Sequence, residues 1–284
     1  MSELHAREQW WNTQKNTQGG IAVYLISSPE HVYAEGFIHA CVSELLDTDK
    51  DHLSAHPDFS DINPFLEEGA MKIEDFRDAI LALQTPPQKA KRRVAVVHGI
   101  DILSAQGQNA LLKSIEEPRV PTTYFLLAHA VQGVLPTIRS RAIIHSLQFI
   151  LHEEWTEKQR SVFEGQSFAI QAYLEGRPGL VDRFMKGKRE SAKIEKTVQE
   201  IQGLLDGAFG KRLAHARVLA KKYTHAMLML WLQDALLVAY RLRMSSAQQK
   251  ALAQAYIFAK KRLNKTFILD HIIFETYALS KTHP

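Results

Sequence analysis

The sequence predicts an α/β domain built on a parallel sheet, followed by a small helical unit and a helical bundle. Three observations predict it. Short apolar runs alternate with helical patterns in the first half, strand signals vanish after residue 150, and apolar residues recur at helical spacing through the last third. Ile21 to Ser27 is an apolar run bounded by Gly19-Gly20 and Ser28-Pro29, the pattern of a strand buried on both faces. A helix pattern follows from about Tyr33 to Leu46. Val94 to Val97 and Tyr124 to Ala128 are the next two strands. The helix pattern between them, Gln106 to Glu117, stops before Pro118, whose ring disfavours helical backbone in the preceding residue. A fourth short strand at Ala142 to Leu147 closes a first domain, 1–150.

Beyond it, Glu153 to Glu164, Phe168 to Leu174 and Leu180 to Met185 read as helices, punctuated by Gly176-Arg177-Pro178-Gly179. They form a small unit, 151–189. In 190–284 the series Ile194-Val198-Ile201-Leu205, Leu228-Trp231-Leu232-Ala235-Leu236 and Leu252-Ala255-Tyr256-Ala259 gives apolar stripes three to four residues apart, as in a bundle. Ser245 or Ser246, and Asn264 or Thr266, are suitable N-caps for its last two helices.

Composition excludes several classes. Hydrophobic residues make up 45% and charged residues 23% of the 284, which argues against disorder and coiled coil. Cys41 is the single cysteine, so there is no intramolecular disulfide and no thiol cluster for zinc, and a reducing, cytoplasmic setting is expected. No signal-peptide core and no membrane-length apolar stretch is present, so neither secretion nor insertion is expected. A net charge of +4 is too small to argue for nucleic-acid binding by itself.

Two segments carry a resemblance. Asn109-Ala110-Leu111-Leu112-Lys113-Ser114-Ile115-Glu116-Glu117-Pro118, followed by Leu135-Pro136-Thr137-Ile138-Arg139-Ser140-Arg141, resembles the paired motifs of bacterial clamp-loader AAA+ subunits of DNA polymerase III, delta-prime type. His56-Pro57-Asp58, Ile73 to Arg77 and Asn264 to Leu269 are weaker matches. The resemblance implies a RecA-like parallel-sheet domain, a small helical lid and an all-α collar that joins subunits, in the order 1–150, 151–189 and 190–284.

The nucleotide site of that family is not reproduced. A phosphate loop needs glycines so that backbone N–H groups can wrap the phosphates, a Lys for the β/γ-phosphates and a Ser/Thr for Mg²⁺. In the matching turn, Ser28, His31 and Tyr33 stand at the glycine positions, and Ala34 and Glu35 stand at the Lys and Ser/Thr positions. Tyr33 would crowd the cradle, Ala34 removes the cation, and Glu30 and Glu35 would repel a polyphosphate. His98-Gly99-Ile100-Asp101 replaces the adjacent Asp and Glu that follow the strand in ATPases, His129 stands at a sensor position, and Gly179 stands where the lid arginine would be. Neither a nucleotide nor another cofactor is expected, and the chain is not expected to be an enzyme by itself.

The resemblance assigns Arg141 as an arginine finger acting in trans, with Ser140 as a supporting residue and Ala142 in place of the family's cysteine. The plain alternative is that Arg139 and Arg141 are solvated loop charges. Lys113, Glu116 and Glu117 form a local ion-pair set or a face toward a neighbouring subunit. His98 and His129 make too sparse a pair for a metal, and no metal site is expected. Trp10, Trp11 and Trp231 read as packing anchors. The resemblance implies ATP-hydrolysing clamp-loader subunits and a delta subunit as partners in a hetero-pentamer, which loads the sliding clamp onto primer-template DNA. A degenerate but active ATPase, or an adaptor outside the replisome, are the alternatives.

Overall fold

The structure, a computed structural model, describes residues 3–15, 21–28, 30–66, 69–148, 150, 152–261 and 263–282. The chain divides into two compact units, Met1–Glu154 and Trp155–Pro284. Gly19-Gly20, Pro29 and the side chain of His31 lie outside the described residues.

In the first unit, strands β1 (Ile21–Ser27), β2 (Phe59–Ile62), β5 (Arg93–Val97), β6 (Thr122–Ala128) and β7 (Ile143–Ser146) form one sheet in the order β2-β5-β6-β1-β7, and every pairing is parallel. A short hairpin, β3 (Phe65–Leu66) with β4 (Gly69–Ala70), stands apart. Helices α1 (Glu3–Gln14), α2 (His31–Leu46), α3 (Ile73–Ala82), α4 (Ala105–Glu116) and the single turn α5 (Pro136–Arg139) complete the unit.

The three central strands are apolar along most of their length because both faces of the sheet are covered. Alternation along β6 makes this concrete. Tyr124, Leu126 and Ala128 enter the core shared with Phe76 and Ile80 of α3 and Leu111 and Ile115 of α4. Phe125 and Leu127 enter the opposite core, with Ala34, Ile38 and Val42 of α2 and Trp11 of α1. The aromatic pair acts as anchors: Trp11 donates from Nε1 to Glu44 at 2.7 Å, and Trp10 stacks on His145 at 4.3 Å. Cys41 is buried in the same core. α4 starts at Ser104, whose hydroxyl accepts from the Gly107 amide at 3.2 Å.

The second unit contains helices only, among its described residues: α6 (Glu157–Glu164), α7 (Phe168–Leu174), α8 (Pro178–Met185), α9 (Lys188–Leu205), α10 (Phe209–Lys222), α11 (His225–Arg241), α12 (Ser246–Lys260) and α13 (Lys265–Thr282). Leu228 and Leu232 of α11, Leu252 and Ala255 of α12, and Ile268, Leu269 and Ile272 of α13 are fully buried where these helices pack. Ser245 and Gln248 form a reciprocal capping box at the start of α12, and Asn264 Oδ1 accepts from the Thr266 amide at 2.9 Å at the start of α13.

Candidate functional site

The strand-to-helix turn comes first. β1 ends at Ser27 and α2 begins at His31, so only Ser28 to Glu30 join them. The Ser28 amide donates to the Ala128 carbonyl at 3.0 Å, and the Glu30 amide donates to Ser28 Oγ at 3.1 Å. Ser28 Oγ in turn donates to the Glu30 carbonyl at 2.8 Å. Two amides that a phosphate nest would turn toward an anion are thus engaged locally. Ala34 is wholly buried in the sheet-facing core, and the guanidinium of Arg7 sits 4.2 Å from the centre of the Tyr33 ring.

The residues after β5 and β6 divide between two carboxylates. His98 Nε2 lies 2.6 Å from Asp61 Oδ1 at the end of β2, whereas His129 Nδ1 lies 3.7 Å from Asp101 Oδ1. Burial favours the neutral acid at Asp61, but the adjacent imidazoles of His39 and His98 outweigh it and hold the carboxyl far below the usual carboxylate range. Asp101 accepts the amides of His129 and Ala130, each at 3.1 Å. It therefore ties the end of β5 to the segment leaving β6.

That segment carries Arg141, and its bracing is built from residues upstream. Gln108 on α4 donates to the Gly133 carbonyl at 3.1 Å and accepts the Leu135 amide at 2.8 Å. Gly133 passes so close to Asp101 that an added Cβ would stand 2.7 Å from Asp101 Cβ and 2.9 Å from its carbonyl oxygen. Pro136, with its fixed φ, occupies the first turn of α5, and Ile138 anchors that turn in the core at 0% exposure. Ser140 Oγ donates to the Thr137 carbonyl at 3.0 Å, and Arg141 Nη1 donates to the same carbonyl at 3.0 Å. Arg141 Nη2 pairs with Glu116 Oε1 at 2.8 Å, with 43% of the arginine side chain and 38% of the glutamate exposed.

This brace is not legible in the sequence: Asp101 stands too late to replace the acidic pair after β5, and Gln108 belongs to no motif. The one available signal is a buried-type position on α4 occupied by an amide, which needs partners for both its oxygen and its nitrogen. The intrahelical ion pair expected of Lys113 and Glu116 is not the one formed, because Glu116 turns to Arg141. Lys113 and Glu117 instead line a groove between α3 and α4 with Arg77, Gln84 and Arg119. In the second unit, Gly179 is buried in α8, and nearby Arg177 is committed to Asp234 at 2.8 Å.

A five-stranded parallel sheet flanked by helices on both faces, with a helical second unit, defines an α/β protein of the architecture expected for a RecA-like AAA+ domain. A solved gamma subunit-related protein of DNA polymerase III from Thermotoga maritima shares this fold, with a TM-score of 0.56 at 16% identity over 95% of this chain and 98% of that one. The family model described as DNA polymerase III, delta subunit, matches residues 9–150, and the chain belongs to that family, within the clamp-loader AAA+ group. DNA polymerase III subunit delta' of Haemophilus influenzae is 32% identical over 128 residues, 44% of this chain and 38% of the relative. The corresponding subunit of Pseudomonas aeruginosa is 32% identical over 88 residues, 31% of this chain and 27% of the relative. The matched segments thus span less than half the length of these relatives.

Proposed function

We propose that this chain is a non-hydrolysing subunit of a bacterial DNA polymerase III clamp loader, and that Arg141 acts as an arginine finger on ATP held by a neighbouring ATPase subunit. The observation that carries this reading is the mounting of Arg141. A largely buried brace of Asp101, Gln108 and Ile138, with half-buried Gly133, fixes α5, yet the guanidinium at its end is exposed, held by the Thr137 carbonyl and an exposed glutamate. An exposed, positioned guanidinium can reach a second chain, where its planar fork stabilises the charge spread over a transferring phosphoryl group. Such groups contribute about 10³ to 10⁵ in rate.

Absence of hydrolysis by the chain itself is supported by the short Ser28–Glu30 turn, by its engaged amides and by Ala34 at the lysine position. Partners in this reading are the ATP-hydrolysing subunits and a delta subunit in a hetero-pentamer. The sliding clamp and primer-template DNA are engaged through the complex, in the cytoplasm. Residues 151–189 serve as the lid and 190–284 as the collar. Exposed Tyr240, Phe267 and Phe274 on the last helices supply apolar surface for neighbouring subunits. Among the described residues, no helix is long and apolar enough to cross a membrane. The test is clamp- and DNA-stimulated ATP hydrolysis by the reconstituted loader with Arg141→Ala, at verified assembly.

A further inference from the structure

The carboxyl ends of parallel strands are where ligands settle on open α/β sheets, and at this end of the first unit four potential metal donors converge from three elements. Asp61 pairs in register with Val96, so its side chain and that of His98, two residues further along β5's path, face the same side of the sheet. The His98 amide donates to the Ile62 carbonyl at 3.0 Å, which fixes the two side chains next to one another. Glu35 and His39 lie four residues apart on α2 and therefore share one helical face. Donor atoms of Glu35, Asp61 and His98 all lie within 4.8 Å of one another. His39 Nε2 stands 3.7 Å from Asp61 Oδ2, with 28% of its side chain exposed.

We propose that Glu35, Asp61 and His98 bind one divalent transition-metal ion of the zinc class, with His39 or water as the fourth ligand. The donor set decides the class. Imidazole with carboxylates suits Zn²⁺ and its neighbours, whereas Mg²⁺ and Ca²⁺ favour oxygen alone. His98 Nε2 and Asp61 Oδ1 lie 2.6 Å apart, so both donor atoms already converge on one point that an ion could occupy. Asp61 is 38% exposed, which leaves an entry path, while His98 at 10% is held rigidly. His39 Nε2, 3.7 Å from Asp61 Oδ2, brings a second imidazole to the same carboxylate, within reach of an ion held there.

The ion would bridge β2, β5 and α2, and the proposal does not depend on any role in clamp loading. The test is Zn²⁺ titration of the metal-free full-length chain, with bound metal counted after gel filtration and Co²⁺ used as a visible-absorption probe. Wild type should retain one Zn²⁺ that His98→Ala or Asp61→Asn weakens by about 100-fold or more. Co²⁺ should give absorption bands typical of four-coordinate nitrogen and oxygen ligation. Glu35→Gln, on α2 rather than on the sheet, keeps the test informative if a strand variant fails to fold, and should weaken binding too. His129→Ala, beside the other carboxylate, should leave it unchanged. No retained Zn²⁺ in wild type, or equal retention in wild type and in folded His98→Ala or Glu35→Gln, would overturn the proposal.

Discussion

Arg141 and Glu116 form an ion pair at 2.8 Å that joins the end of α5 to the last turn of α4. Both side chains are more than a third exposed, so the pair adds about 0–1 kcal/mol of stability. Its consequence is orientation: the guanidinium is held at the surface, and in the proposed role a phosphate on another chain would displace Glu116 from it. Glu116→Gln should therefore change unfolding free energy by no more than about 1 kcal/mol. It should alter stimulated hydrolysis far less than Arg141→Ala does, which parallel denaturation and ATPase assays would check.

The brace behind that pair is less tolerant. In Gly133→Ala the new methyl group would meet Asp101 Cβ at 2.7 Å and its carbonyl oxygen at 2.9 Å, and neither can swing away because Asp101 also holds the His129 and Ala130 amides. The substitution should cost roughly 1–3 kcal/mol. It should also lower stimulated hydrolysis by displacing α5, with a denaturant melt separating the two effects.

Asp58, from the weakly matching His56-Pro57-Asp58, proves to be a loop clamp. Fully buried, it accepts the amides of Gln88, Lys89 and Ala90 at 2.6 to 2.7 Å. Burial alone would raise its pKa, but these backbone donors outweigh that and hold it below its ordinary value of 3.8. A depressed carboxyl contributes stability that is fully present above the unfolded value and lost as pH falls through the folded one. Between those two values the unfolded chain binds more protons. Melts from about pH 5 downward should thus show a steeper loss for wild type than for Asp58→Asn. At neutral pH Asp58→Ala should cost roughly 2–4 kcal/mol.

The short turn after β1 makes a separate prediction. Calorimetric titration of the isolated chain with ATP and Mg²⁺ should give no saturable binding below about 1 mM. A micromolar dissociation constant would favour the reading of a degenerate but active ATPase.

Much of the fold is legible because burial on both faces leaves an uninterrupted apolar run. β1, β5 and β6 stand out in this way, and Ser245 and Asn264 mark helix starts through side chains that accept backbone amides. β2 is not legible: Phe59-Ser60-Asp61-Ile62 is four residues long, lies at the sheet edge and carries a carboxylate. β7 falls within the expected segment, although Ile143 and Ile144 remain partly exposed at the other edge. Arg141 is singled out by the motif alone. Its pairing with Glu116, the Asp101 and Gln108 brace and the Asp61–His98 contact depend on which strands become neighbours, and local periodicity does not encode that.

The most direct measurement is clamp- and DNA-stimulated ATP hydrolysis by the reconstituted loader, comparing wild type with Arg141→Ala at equal assembly. The account predicts a large fall in rate with the complex intact, because one ATP site loses the charge that stabilises its transferring phosphoryl group. An unchanged rate at equal assembly would contradict it and leave Arg141 as a surface partner of Glu116.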